Sequence, residues 1–261
     1  MGSSSRQPVV PPQHGAWAFL GLPIVLGWEV AGLSPLVVLL GVGFVVAYPA
    51  SYFLIATLRY SRPERYRKGL MIWGVPGAAI ALVLLLARPW LAWVGLAYLI
   101  AFGINLAFAH ARNERSLIND AVFIIECVAI VPVVWAVAAS VGGWIPPSPI
   151  AAPSTLWTLT AFVALALVGS TMHVRSLIRE RRNAKFRLAS QIVAGISLAV
   201  ATLLAAPLGT AAMVMSAIAF GFLFVRSLVV GMKPMKPGVI GVFELVGFLL
   251  VALAGLAGTL A

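Results

Sequence analysis

The chain has 261 residues, of which 62% are hydrophobic and only 10% charged, and its mean hydropathy is +1.04. Soluble globular proteins carry about 25% charged residues, so this composition excludes a soluble globule and indicates a membrane protein. A net charge of +11 would favour nucleic-acid binding in a soluble protein. Here the cations flank apolar stretches, so we expect them to contact anionic lipid headgroups and no nucleic acid.

The apolar stretches predict nine membrane spans. A transmembrane helix needs about 20 mostly apolar residues. On that rule the spans lie at 16–33, 35–58, 70–87, 89–109, 120–141, 155–174, 189–206, 209–227 and 238–260. We therefore predict an all-α, polytopic transmembrane helix bundle. Residues 16–261 would form a single domain, preceded by a flexible cytoplasmic arm of residues 1–15.

The basic residues are distributed asymmetrically between the two sides of this bundle. Seventeen of the eighteen Lys and Arg residues lie in the N-terminal arm or in the polar segments Arg59–Lys68, Arg112–Arg115, Arg175–Arg187 and Arg226–Lys236. Arg88 alone lies on the other side. Cytoplasmic loops of membrane proteins are enriched in Lys and Arg, so the pattern predicts a cytoplasmic N-terminus.

The segment after the sixth span has two kinds of polar side chain. It lacks Gly and Pro, so the sixth helix is expected to continue through it. Spacings of three and four residues would then divide its side chains between two helical faces, one with His173, Ser176, Glu180 and Asn183 and the other with Arg175, Arg179 and Arg182. One guanidinium group can bind two phosphate oxygens at once, and carboxylate and carbonyl oxygens are suitable ligands for Mg²⁺. The pattern predicts a phosphate or diphosphate site; the alternative is a solvated, salt-bridged helix end.

Acids and amides also interrupt the cations after the fourth span. A helical face with His110, Asn113, Leu117 and Asp120 is expected there, with Glu114 adjacent. Asn119 and Glu126 are seven residues apart and would point the same way, with Glu126 deeper in the fifth span. An ionisable residue inside a span is a functional candidate, and a hydrogen bond to a neighbouring helix is the alternative.

Both ends of the chain add candidate ligands on the basic side. His14 lies at the start of the first span, where a capping role is the alternative to ligand binding. Lys236 lies at the edge of the last span, and Glu244 lies about two turns inside it. We expect all three to contribute to substrate binding.

Several short motifs follow one another along nearly the whole chain. They are residues 13–18 (QHGAWA), Asn113–Arg115 followed by Asn119 and Asp120, Gly169–Thr171 followed by Arg179, Glu180 and Asn183, and Lys236 with Glu244. This set resembles the YwiC-like family of bacterial membrane proteins. The resemblance implies a multi-pass protein of the bacterial cytoplasmic (inner) membrane, and it implies no particular activity.

The architecture is also similar to that of the UbiA superfamily of prenyltransferases. Those enzymes have nine spans and hold Mg²⁺ and a prenyl diphosphate through Asp-rich motifs after the second and sixth spans. Here Glu180 and Asn183 stand where the second motif belongs, but the segment after the second span has only Glu64 among five cations. This departure favours direct binding by arginine, or a single Mg²⁺ ion held by Glu180 and Asp120.

Two functions fit these patterns. The first is a membrane enzyme for an isoprenoid-like or lipid phosphate. Its binding side chains would be Arg115, Arg175, Arg179, Asn113, Asn119, Asn183, Glu126 and the terminal candidates, and its catalytic side chains Glu180, Asp120, Glu114 and His173. The second is an ion- or proton-coupled transporter that uses Glu126 and Glu244. A non-catalytic lipid-binding accessory protein is a further alternative.

Overall fold

The computed structural model describes residues 9–11, 15–113, 115–230 and 236–260. These residues form helices and no strand, which confirms the all-α prediction. The α-helices are α1 (Gly15–Ala31), α2 (Pro35–Arg59), α3 (Glu64–Ala87), α4 (Leu91–His110), α5 (Leu117–Ala139), α6 (Ser154–Ile178), α7 (Ala184–Ala205), α8 (Thr210–Val229) and α9 (Pro237–Thr259). Short 3₁₀ turns at Pro149–Ala151 and Ala206–Leu208 precede α6 and α8.

Each predicted span corresponds to one helix of the described chain. Eight of them, α2 to α9, are long and apolar enough to cross a membrane, whereas α1 is apolar but has 17 residues. Helix α1 is shorter than predicted because Gly32 adopts a positive φ of 71°, which breaks the helix. Ser34 then caps α2, with its hydroxyl accepting a hydrogen bond from the Val37 amide at 3.4 Å.

Helix α6 lies at the centre of the bundle and contacts α1, α5, α7, α8 and α9. Half of the residues in its most apolar stretch are buried, against 6% in those of α3 and α4. Phe162 of α6 packs edge-on against Phe220 of α8, with the ring centroids 5.5 Å apart. Helices α3 and α4 therefore lie at the periphery with most of their apolar surface outward, as expected for a lipid-facing edge.

Short connections join consecutive helices except α5 and α6, which are joined by residues 140–153, and neighbours run in opposite directions. The α2–α3, α4–α5 and α6–α7 connections and Lys236 consequently lie on one side, which we call the basic face. Arg88 lies in the α3–α4 connection on the other side, where its guanidinium donates to the carbonyls of Val137 and Ala87. Among the described residues, the basic connections therefore lie on one side of the bundle and Arg88 lies on the other, as the sequence predicts.

The described part of the N-terminal arm contacts this bundle. The indole Nε1 of Trp73 in α3 donates a hydrogen bond to the carbonyl oxygen of Val9 at 2.7 Å. His14 lies outside the described residues. The division of the chain into a flexible arm and one transmembrane domain stays a prediction.

Candidate functional site

The α6–α7 connection is not helical, so the prediction of one continuous helix over residues 170–183 is wrong. Helix α6 ends at Ile178, and Asn183 caps α7, with its side-chain oxygen accepting a hydrogen bond from the Phe186 amide at 3.1 Å. Asparagine is unfavourable inside a helix and is among the best N-cap residues, which explains the break. Glu180 and Asn183 therefore do not share a helical face with His173.

The α4–α5 connection also interrupts the helical face that was expected to carry His110, Asn113, Leu117 and Asp120. Helix α4 ends at His110, and the Ser116 hydroxyl caps α5 by accepting a hydrogen bond from the Asn119 amide at 3.1 Å. Between them Arg112 adopts a φ of 53°, and the amide of Asn113 bonds to the Phe108 carbonyl at 2.9 Å. This geometry is a common helix C-terminal motif. Glu114 lies outside the described residues, and Asn113 is exposed.

The two connections nevertheless bring several of the predicted residues together. The Arg175 guanidinium donates through Nη1 to Oδ2 of Asp120 and to the carbonyl oxygen of Arg115, both at 2.9 Å. Arg179 Nη1 donates to the same carbonyl at 3.2 Å and lies 3.5 Å from Asp120 Oδ2. Arg175 in the last turn of α6 and Arg179 at its C-cap lie on one side, as predicted, and meet the first turn of α5. Arg182, predicted on the same face, lies in the non-helical α6–α7 connection.

Glu180 and Asn183 complete this arrangement. Glu180 Oε1 lies 4.0 Å from Arg175 Nε, and the Asn183 amide donates to Glu180 Oε2 at 3.1 Å. We use the name face cluster for Arg115, Asp120, Arg175, Arg179, Glu180 and Asn183. Beside it an open depression of about 450 Å³ is lined by Arg179, Glu180, Arg182, Asn183, Ala184 and Lys185.

The charge of this region favours an anion. Cations outnumber acids by three over the face cluster together with the two further basic residues of the depression, Arg182 and Lys185. Both carboxylates face arginine side chains, and the described residues contain no group of three His, Cys, Asp or Glu side chains that could hold a metal ion. The Mg²⁺ expected at Asp120 and Glu180 stays a prediction.

His173 lies in a second polar cluster, inside the bundle. Arg226 in the last turn of α8 forms an ion pair with Glu244 of α9, and Ser170 and His173 of α6 lie next to this pair. All four residues are buried. We use the name core cluster for Ser170, His173, Arg226 and Glu244. The sequence alone did not single out Arg226, although three apolar residues follow Ser227 and continue the span past it.

Glu126 faces α4 and not the face cluster. Its Oε2 accepts a hydrogen bond from the Asn105 amide at 3.2 Å, and its backbone carbonyl accepts one from the Tyr98 hydroxyl at 2.6 Å. An apolar cleft of about 250 Å³ opens between α4 and α5 beside Tyr98 and Glu126. The hydrogen bond to a neighbouring helix, which was the structural alternative for Glu126, is therefore present. Lys236 is exposed at the start of α9, apart from these groups.

The fold defines a polytopic helical membrane protein with one polar cluster at its basic face and another in its interior. A family model described as YwiC-like protein matches residues 10–135. The chain is 31% identical over 179 residues to the uncharacterised protein YwiC of Bacillus subtilis (strain 168), an alignment that covers 68% of this chain and 70% of the relative.

It is also 23% identical over 184 residues to an uncharacterised protein of Haemophilus influenzae, covering 70% of this chain and 73% of that protein. No solved structure matches the chain significantly. The protein belongs to the YwiC-like family, as its motifs predict.

Proposed function

We propose that the protein binds a prenyl or other lipid phosphate or diphosphate at the face cluster, as a prenyltransferase-like enzyme of the bacterial cytoplasmic membrane. The observation that carries the proposal is the convergence of Arg175 and Arg179 on the α4–α5 connection, beside an open depression with an excess of cations. Guanidinium groups bind phosphate oxygens with good geometry, and they keep their charge at any physiological pH.

The contact with Asp120 leaves the arginines able to accept a ligand. Arg175, Arg179 and Asp120 are partly exposed, with 13%, 39% and 22% of their side-chain surfaces accessible. The contact between Arg179 and Asp120 is the more open one, and ion pairs open to solvent contribute little net stability, so a phosphate can replace the carboxylate at Arg179 at small cost. The isoprenoid or acyl tail would then lie against the apolar outer surface of the bundle, which is exposed to lipid.

The same groups would support transfer of a prenyl chain. In that reaction the bond between C1 of the prenyl chain and the diphosphate oxygen breaks, and the diphosphate leaves with the electron pair. The acceptor forms a bond to C1 and loses a proton. Arginine side chains would stabilise the charge that develops on the leaving group. Glu180, which contacts Arg175 only at 4.0 Å, is our candidate to receive the proton.

The test is binding of farnesyl diphosphate to the full-length protein in lipid nanodiscs, with and without Mg²⁺. We expect Arg179→Gln to weaken binding by about tenfold or more, because hydrogen bonds to charged groups contribute about 1.5–3 kcal/mol. The matched control is Arg62→Gln, which removes an exposed cation from the α2–α3 connection on the same face. Equal affinities of the two variants would refute the proposed site.

A second measurement separates the enzyme from the accessory protein. Release of diphosphate from farnesyl diphosphate in the presence of a membrane lipid extract would support transfer, and loss of release in Glu180→Gln would support the role of Glu180. Binding without release in any extract would instead favour the non-catalytic, lipid-binding alternative. Inorganic diphosphate, tested in parallel, shows whether the prenyl tail contributes to affinity.

The ion-coupled transporter remains a second candidate because Glu126 and Glu244 both lie within spanning helices. A carboxyl group at such a depth is a candidate ion or proton site. In liposomes, solute or proton flux that depends on Glu126 would favour this function. Flux equal to that of empty liposomes would count against it.

A further inference from the structure

The core cluster lies within the bundle, on the half nearer to the basic face. Arg226 is in the last turn of α8, and Glu244 is eight residues after Lys236, about 12 Å along the helix axis. Ser170, His173, Arg226 and Glu244 are 0%, 2%, 4% and 5% exposed. They come from three different helices, and they are separate from the face cluster.

The ion pair leaves polar atoms of this cluster without partners. Arg226 Nη1 faces Oε2 of Glu244, but Arg226 Nε, His173 Nε2, Ser170 Oγ and Glu244 Oε1 have no hydrogen-bond partner among the residues that the structure describes. All four atoms are inaccessible to solvent. A buried charged donor without an acceptor is costly, and an ion pair in a membrane interior is not needed for helix packing. The cluster has more hydrogen-bond donors than one carboxylate can accept, because Arg226 has five N–H groups and Ser170 adds a hydroxyl, against about four acceptor positions on Glu244.

The charge of the cluster restricts what can bind there. Arg226 and Glu244 together are neutral, so an additional anion would leave a net negative charge in a dry interior, which is strongly unfavourable. An anion that replaces Glu244 at Arg226 leaves the cluster neutral only if Glu244 is protonated at the same time. The tight burial of the four side chains restricts the ligand to a small one.

We propose that Arg226, His173 and Ser170 bind a small monovalent anion, a halide or a short carboxylate, in place of the Glu244 carboxylate, and that Glu244 takes up one proton from solvent as the anion binds. Arg226 has an anionic partner in both states, so its charge is never left unpaired. This site is additional to the phosphate site proposed at the basic face.

Access is favoured from the basic face. Lys236 precedes α9 and is exposed, and the amino end of α9 has a partial positive charge. Both attract an anion toward the interval between α8 and α9 that contains Arg226.

The groups that surround Glu244 are consistent with this exchange. Arg226 faces it from α8, and Ser170 and His173 are next to the pair from α6. Helix α1 also packs against α9, but its acid, Glu29, lies next to Gly255, eleven residues farther along α9. No second carboxylate of the described chain therefore competes for Arg226.

The experiment uses the full-length protein in nanodiscs of zwitterionic lipid. Sodium gluconate is replaced by sodium chloride or sodium formate at constant ionic strength, and thermal unfolding and proton uptake are measured in weakly buffered solution with a pH-sensitive dye. The wild type is expected to be stabilised by one of the two anions, because a ligand that binds only the folded state raises the unfolding temperature. Proton uptake should accompany binding, with a ratio of about one proton per anion.

Two variants give opposite results if the proposal is right. Glu244→Gln should bind the anion about tenfold more tightly or better, without proton uptake, because no carboxylate competes for Arg226. Arg226→Gln combined with Glu244→Gln keeps the side-chain volumes and removes both charges, and it should show neither stabilisation nor proton uptake. Chloride and formate, compared in the wild type, distinguish a halide site from a carboxylate site.

Arg179→Gln, which alters only the face cluster, should respond to the anion as the wild type does. Its response therefore separates this site from the phosphate site. An anion response without proton uptake in the wild type would overturn the proposal, as would no response to either anion or an undiminished response in the double variant. If Glu244→Gln does not accumulate in membranes, the comparison of the wild type with the double variant decides the question.

Discussion

The protein has two contacts between arginine and a carboxylate that are chemically alike and differ in their surroundings. At the basic face, Arg175 and Asp120 are 2.9 Å apart, with 13% and 22% of their side chains exposed. In the core cluster, Arg226 and Glu244 are paired with only 2% and 7% exposed. Water reaches the first pair and is almost excluded from the second.

This difference determines what each pair can do. Water solvates the separated ions of the face cluster, so breaking that pair costs little and an external phosphate can compete for the arginines. Separating the core pair would leave an uncompensated charge in an apolar interior. The buried arginine can therefore change partners only if another anion takes the place of the carboxylate.

Removing one member of the core pair should have the largest effect on stability. We expect Arg226→Met to lower the free energy of unfolding by about 3–5 kcal/mol, because Glu244 is left buried without a counter-ion. Unfolding in mixed detergent micelles with increasing dodecyl sulfate measures the loss. Arg226→Met combined with Glu244→Leu should recover most of it, and a double variant as unstable as the single one would show that packing and not charge is responsible.

An intermediate effect is expected from the cap that shapes the face cluster. Asn183→Ala removes the side-chain acceptor of the Phe186 amide and should cost about 1 kcal/mol of stability. Asn183→Asp keeps an acceptor at this position and serves as the matched control. The same unfolding assay distinguishes them, and equal stabilities of the two variants would argue against the capping role.

Breaking the pair of Arg175 and Asp120 should lower the free energy of unfolding by less again. Asp120→Asn is expected to lower stability by no more than about 1 kcal/mol, since the new amide oxygen still accepts a hydrogen bond and Arg175 keeps its bond to the Arg115 carbonyl. The same change should strengthen binding of farnesyl diphosphate in the nanodisc assay, because it removes the carboxylate that competes for Arg175 and Arg179. Weaker binding would indicate instead that Asp120 contacts the substrate or an ion.

The smallest expected effect is the change with salt concentration in the stability that Asp120→Asn and Arg226→Met lose. In about 1 M salt the screening length falls to roughly 3 Å, so the stability difference between the wild type and Asp120→Asn should largely disappear. The loss in Arg226→Met should persist in sodium gluconate, because the core pair is almost inaccessible to water and is therefore hardly screened. Unfolding measured at low and high sodium chloride tests this, with sodium gluconate as a control for specific chloride binding.

The sequence was sufficient to predict the helices and the side on which the cations lie. Apolar length sets the helices, because a bilayer leaves the backbone few other ways to satisfy its hydrogen bonds. The pairing of Arg175 with the α4–α5 connection could not be predicted in detail, since helix ends depend on caps such as Ser116 and Asn183. These caps end helices that periodicity alone would continue.

The interior pairs were less accessible to prediction because they depend on the rotation of one helix against another. Glu126 lies near Asn119 and Asp120 in sequence, yet it faces Asn105 of α4. His173 belongs to the core cluster, because the face of α6 that carries it packs toward α8 and α9. A carboxylate within the last span, Glu244, implied a partner, but only the packing of α8 on α9 identifies Arg226 as that partner.

Helix α6 contributes to both clusters within a single turn. His173 and Arg175 are two residues apart, about 3 Å along the axis, and they point to opposite neighbours. A rotation or a small shift of α6 would therefore alter the distance from Arg175 to Asp120 and the position of His173 beside Arg226 in one movement. If ligands bias that movement, occupancy at the membrane surface changes affinity in the interior, and the reverse effect is equal in free energy.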